Sequence, residues 1–198
     1  MRRKTVEELE RESVSSLIKD FLKDEYIKLK VKTLDLTENY EVGSSEIFCA
    51  FYEGDSKKAK AIRGLGHGVL DALHGSLLHH YSESYPSLKG ITFEGFSVLP
   101  DWGTRTSSGS DAEVEVEIKF RNSLNNIIAF VNKGRSFVRC SVDALFEAIE
   151  FYINAEKCFK KLKLLIKDAK ERNRSDMAQS YVSKISTIVR ITSYEEID

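Results

Sequence analysis

The chain has 198 residues, and its 30 basic and 31 acidic side chains leave a formal charge of −1. Hydrophobic residues make up 41 %, enough for a real core, which excludes a disordered or collagen-like chain. The length suits one large domain or two small ones and is too short for a complete (β/α)₈ barrel, and the balanced charge argues against a protein built mainly to grip nucleic acid.

The charged first residues carry no apolar run of the secretory type, and no stretch approaches a membrane span. Cys49, Cys140 and Cys158 are odd in number and widely spaced. Reduced thiols and a cytoplasmic location are the expectation, with no membrane partner.

Thr5 and Glu8 read as a capping box, and Val6, Leu9, Val14, Leu17, Ile18, Phe21 and Leu22 follow near helical spacing. An N-terminal helix within residues 1–24 is predicted. From Tyr26 to Thr33 the apolar period becomes two, the mark of a strand with one buried face. Glu41–Ser45 is a turn, Ile47–Phe51 a second strand and Ala59–Arg63 a third. After Gly64-Leu65-Gly66-His67-Gly68 a helical pattern starts at Val69. This is the first unit, residues 26–85.

Residues 88–156 repeat the order. A strand ends at Phe96-Ser97-Val98, and Pro100–Gly109 reads as a polar loop. Val114–Phe120 alternates cleanly, and Ile127–Asn132 is the third strand. A helix then carries Val142, Leu145, Ile149 and Tyr152 inward. Leu70-Asp71-Ala72-Leu73 opens the first helix and Val142-Asp143-Ala144-Leu145 the second, with Asp in each first turn, which suggests an internal duplication. The second helix continues past Asn154 through Phe159, Leu162, Leu165 and Ile166, for a length of ~30 residues and ~45 Å. Its later turns need cover, either from the N-terminal helix or from another subunit. Residues 157–198 are read as a helical extension and tail, in which 176–198 fit a helix by spacing and a strand by composition. The fold class is therefore α+β: two βββα units related by internal pseudo-symmetry, with extra N- and C-terminal helices.

Between residues 26 and 156 a set of short motifs falls in order. Gly66, Gly68, Asp71 and Ala72 come first, then Ser97-Val98, then Gly109 with Asp111-Ala112, then Ser141, Asp143, Tyr152, Asn154 and Ala155. This order resembles the C-terminal regulatory domain of α-isopropylmalate synthase and citramalate synthase, with G-x-G-P-V-D-A, Y-S-V, G-T-D-A, S-T-D and A-Y-L-N-A. Val69 replaces the family's proline, and Leu99–Ser108 is longer than the family's loop.

The resemblance implies a non-catalytic dimeric domain, residues 25–156, that binds a branched-chain amino acid, leucine first, and feedback-regulates a synthase barrel supplied in trans. It implies an effector site of Gly66, His67, Gly68, Val69, Asp71, Val98, Leu99, Asp111 and Ala112. Physically, a glycine-rich turn entering a helix offers N–H groups to a carboxylate, apolar Val69, Val98 and Leu99 suit a side-chain pocket, and Asp71 or Asp111 suits an ammonium group. A dimerisation or docking scaffold of the same fold without a ligand is the rival reading.

Other features have plainer readings. The glycine turn lacks G-x-G-x-x-G spacing and a βαβ setting, so it is no dinucleotide fingerprint. His74, His79 and His80 lack the i, i+4 metal pattern, and no cofactor or metal is implied. Trp102 and Arg105 belong to a surface loop. The lysine run from Lys157 to Lys170 is a solvated helix face without aromatic interleaving. Cys140 and His67 lack an orienting third partner, so no catalytic set emerges.

Overall fold

The computed structural model describes residues 5–106 and 111–192. Helix α1 (Val6–Leu22) begins with the expected reciprocal cap: the Glu8 N–H donates to Thr5 Oγ1 and the Thr5 N–H to the Glu8 carboxylate. Strands β1 (Leu29–Asn39), β2 (Ser44–Glu53) and β3 (Lys60–Gly66) form an antiparallel meander, followed by α2 (Val69–Tyr81). The second unit repeats it with β4 (Thr92–Asp101), β5 (Glu113–Arg121), β6 (Ile127–Gly134) and α3 (Phe137–Glu171). Helix α4 (Ser175–Thr192) closes the described chain. The α+β class and the doubled βββα order are as expected from sequence.

The duplication is visible in detail. Both first strands carry a register shift at the same place, between Val31 and Thr33 in β1 and between Phe93 and Gly95 in β4. The inner faces correspond one to one: Ile47, Cys49 and Phe51 on β2 match Val116, Ile118 and Phe120 on β5, all fully buried. The third strands end on matched glycines, Gly66 and Gly134, and the next helix starts the same number of residues later in both units. A Cβ on Gly66 would meet Ala72, and one on Gly134 would meet Cys140, the matching position. Each meander is apolar on one face and must bury it. Helix α2 lies on β2 and β3, α3 lies on β5 and β6, and α2 touches α3. The ring contacts Phe51–Phe146 and His74–Phe120 run from each sheet to the other unit's helix, so both helices lie between the sheets.

Several boundaries differ from the sequence reading. The first strand begins at Leu29, three residues after Tyr26, because side chains of α3 take the preceding backbone: Asn154 Oδ1 accepts the Ile27 N–H at 2.8 Å and Glu150 accepts the Leu29 N–H at 2.8 Å. Strand β4 runs through Pro100 to Asp101, where a polar loop is expected. It is an edge strand, and proline is tolerated where no N–H is needed for a neighbour. Residues 107–110, including Gly109 of the matched motif, lie outside the described residues.

Helix α3 starts at Phe137, over a turn before Val142, because the Ser136 hydroxyl caps it by accepting the Arg139 N–H. Asp143 therefore is not in the first turn. By helix start, Asp71 corresponds to Arg139, and the two Asp-Ala-Leu stretches are one turn out of step. The helix is also longer, with 35 residues or about 52 Å at 1.5 Å per residue.

The segment that fits helix or strand is helical over Ser175–Thr192. Helix α3 ends in a left-handed Asn173 (φ 55°), with the Arg174 N–H donating to Ala169 O at 2.9 Å and the Asn173 N–H to Lys170 O. This Schellman arrangement turns the chain back so that α4 covers the far half of α3. Leu162, Ala169, Ala178 and Ile188 are buried there, and α1 adds Val14, Ile18 and Leu22. The cover for α3 thus comes from within the chain.

Candidate functional site

The turn His67-Gly68 leads into α2 with Gly68 at the N-cap, a residue with no side chain to cap the helix. The first N–H groups of any α-helix have no intrahelical acceptor, and here Val69, Leu70 and Asp71, which carry three of them, line a hollow of about 490 Å³. Its wall is the stretch His67–Asp71 with His74, completed by Phe93 and Phe96 of β4 and Phe137 of α3. The two units therefore build it jointly. That volume is in the range of small-molecule pockets, and the lining is mainly apolar with few polar groups, as such pockets have.

Asp71 turns back to accept the His67 N–H at 2.9 Å on Oδ2, with the His67 ring 3.7 Å away. The carboxylate thus braces the turn, like the third residue of a capping box, and its side chain remains about two-thirds exposed. His74 is half-buried, with its ring 5.3 Å from Phe120 and 6.2 Å from Phe93. Nε2 is buried without a partner, and burial lowers the imidazole pKa against a smaller opposing pull from Asp71. At neutral pH the ring is an uncharged flat surface.

Of the nine residues implied as an effector site, the hollow brings together His67, Gly68, Val69 and Asp71. Gly66 lies behind them. A Cβ there would fall 2.5 Å from the Ala72 nitrogen and 2.7 Å from Asp71 Oδ2, so this glycine serves the close approach of β3 to α2. Val98 and Leu99 are adjacent on one strand and point to opposite faces. Val98 lies opposite Val116, packed on the core, while Leu99 is exposed opposite Glu115. Asp111 and Ala112 precede β5 elsewhere, where Asp111 accepts the Thr106 N–H at 2.9 Å and meets Arg135 at 3.3 Å. Those contacts, the Thr106 bond foremost, hold its pKa below the usual carboxylate range.

Sequence reasoning missed Phe93, Phe96 and Phe137. Phe93 and Phe96 occur next to the Ser97-Val98 motif, and a three-residue spacing across a strand bulge is the signal that puts both on one face. The corresponding hollow at the start of α3 has a different character. It holds about 440 Å³ and is lined by Val31, Leu34, Lys32, Arg139 and Asp143.

The remaining features are structural. Lys157 donates to Glu25 O, Lys160 pairs with Glu156, and Lys161 pairs with Glu25, so much of the lysine run ties α3 to the segment after α1 or to itself. The three cysteines are buried and free, with burial pushing the Cys49 and Cys158 thiols up to about 11 and about 12. Trp102 is exposed in a single 3₁₀ turn. Among the described residues no three His, Cys, Asp or Glu side chains converge as a metal set, and no helix is long and apolar enough to cross a membrane.

Fold and hollow together define a doubled βββα sandwich with a small-molecule-sized cavity at the junction of its halves. The chain matches no model of a known protein family and no curated protein.

Proposed function

We propose that the protein is a non-catalytic regulatory domain of the α-isopropylmalate synthase type, and that it binds an amino acid with an apolar side chain at the start of α2. The observation that carries this is that Val69, Leu70 and Asp71, the first residues of α2, line the same hollow as an apolar wall. The N–H groups and the positive helix end attract a carboxylate. Asp71 keeps one carboxylate oxygen clear of the His67 N–H to take an ammonium group. The apolar wall takes the side chain. The ordered motifs from Gly66 to Ala155 support a branched-chain effector, leucine first, and a synthase barrel in trans as the regulated partner.

Calorimetric titration of the chain with leucine, isoleucine and valine tests this. Saturable binding that Leu70→Asp abolishes supports it. A folded protein with no heat of binding for any amino acid favours the ligand-free scaffold, and recovery of a synthase by such a protein would establish that role.

A further inference from the structure

We infer that the hollow at the start of α2 selects an amino acid with an aromatic side chain over a branched aliphatic one. This rests on the amino-acid reading above, but takes the side chain from the cavity wall and not from the motif order that puts leucine first. Phe93, Phe96 and Phe137 are 39 %, 39 % and 40 % exposed, and all three line the one cavity. Phe96 and Phe137 meet edge to face at 5.9 Å, while Phe93 leans on Phe120 at 5.6 Å and on the neutral His74 ring at 6.2 Å. Four flat faces and edges thus surround the space into which the side chain of a ligand held by the helix start would extend.

The fold itself does not ask for these rings. The matched strand bulge makes Val31 the counterpart of Phe93 and Leu34 the counterpart of Phe96, since Val31 pairs with Phe51 as Phe93 pairs with Phe120. Val31 and Leu34 are aliphatic, half-buried and packed on the core. The same register is therefore satisfied by smaller side chains, while the rings of the second unit leave apolar surface in water. A bound aromatic side chain covers that surface and adds edge-to-face contacts that an aliphatic one lacks. The counterpart hollow, with Lys32 and Arg139 beside Val31 and Leu34, has no such ring wall.

The test is calorimetry on the whole chain with L-phenylalanine and L-leucine, for the natural sequence and for the double variant Phe93→Val/Phe96→Leu. That variant copies the residues the fold already accepts in the first unit, and far-UV circular dichroism checks that it is folded. The natural chain is expected to bind phenylalanine about tenfold more tightly than leucine. In the double variant phenylalanine should weaken about tenfold and leucine by no more than about threefold. Leucine binding as tightly as phenylalanine, or a phenylalanine preference that survives the double substitution, overturns the aromatic selection and leaves the amino-acid reading standing. Binding of neither amino acid overturns both.

Discussion

The glycines around the β3–α2 turn separate packing from ligand access. Gly66→Ala places a Cβ 2.5 Å from the Ala72 nitrogen and 2.7 Å from Asp71 Oδ2, and the first of these is backbone that cannot swing aside. Forcing strand and helix apart costs about 1–3 kcal/mol as overpacking. Displacing Asp71 from the His67 N–H adds the loss of a helix-start cap, about 0.5–2 kcal/mol. A total near 3 kcal/mol corresponds to a fall in melting temperature of about 6–12 °C for a chain of this size. At Gly134 the same substitution meets Cys140 Sγ at 3.0 Å, the end of a side chain that can rotate, so the cost is about 1 kcal/mol. At Gly68 a Cβ meets nothing within 4 Å, and only the N-cap preference for glycine over alanine is lost, about 1 kcal/mol at most. Because Gly68 lines the hollow, that methyl should instead weaken the proposed amino-acid binding. Urea unfolding followed by circular dichroism measures the series. Equal destabilisation at Gly66 and Gly68 would refute the assignment of one glycine to packing and the other to the cavity.

Two further outcomes follow from buried polar groups. Asn154 is fully buried, accepting the Ile27 N–H and donating to the Ile27 carbonyl at 2.7 Å, so Asn154→Leu strands both backbone groups. The expected loss is about 2–5 kcal/mol in urea unfolding, and a loss under about 1 kcal/mol would show that the clamp does not hold β1 to α3. His74 resists protonation in the folded state because it is half-buried against Phe93 and Phe120. The unfolded chain accepts that proton at its ordinary pKa of about 6.5, so stability declines as the pH falls below this value toward the lowered folded pKa. His80 is shifted the same way and contributes its own share. His74→Phe should flatten the fall in urea midpoint between pH 7.5 and pH 5, and an unchanged slope would remove His74 as a source.

Local pattern determined much of this protein. The Thr5–Glu8 capping box, the alternation of Val114, Val116, Ile118 and Phe120, and the helical stripe after Val69 each depend on neighbours a few residues apart, so they could be read directly. The same holds for the doubled βββα order and for the half of the hollow that lies on one continuous stretch, His67 to Asp71. Tertiary structure decided what depends on distant partners. Asn154 and Glu150 on α3 displaced the start of β1, and packing against α3 made Ser175–Thr192 a helix although its β-branched residues suited a strand equally well. The edge position of β4 let Pro100 extend it. The strand's two-residue period sent Leu99 away from Val98, while its bulge and the seam between the halves brought Phe93, Phe96 and Phe137 to the start of α2. Composition and spacing carry the period of each element. Which rings share a cavity is set by register and by the contact of two units, and those are properties of the folded chain alone.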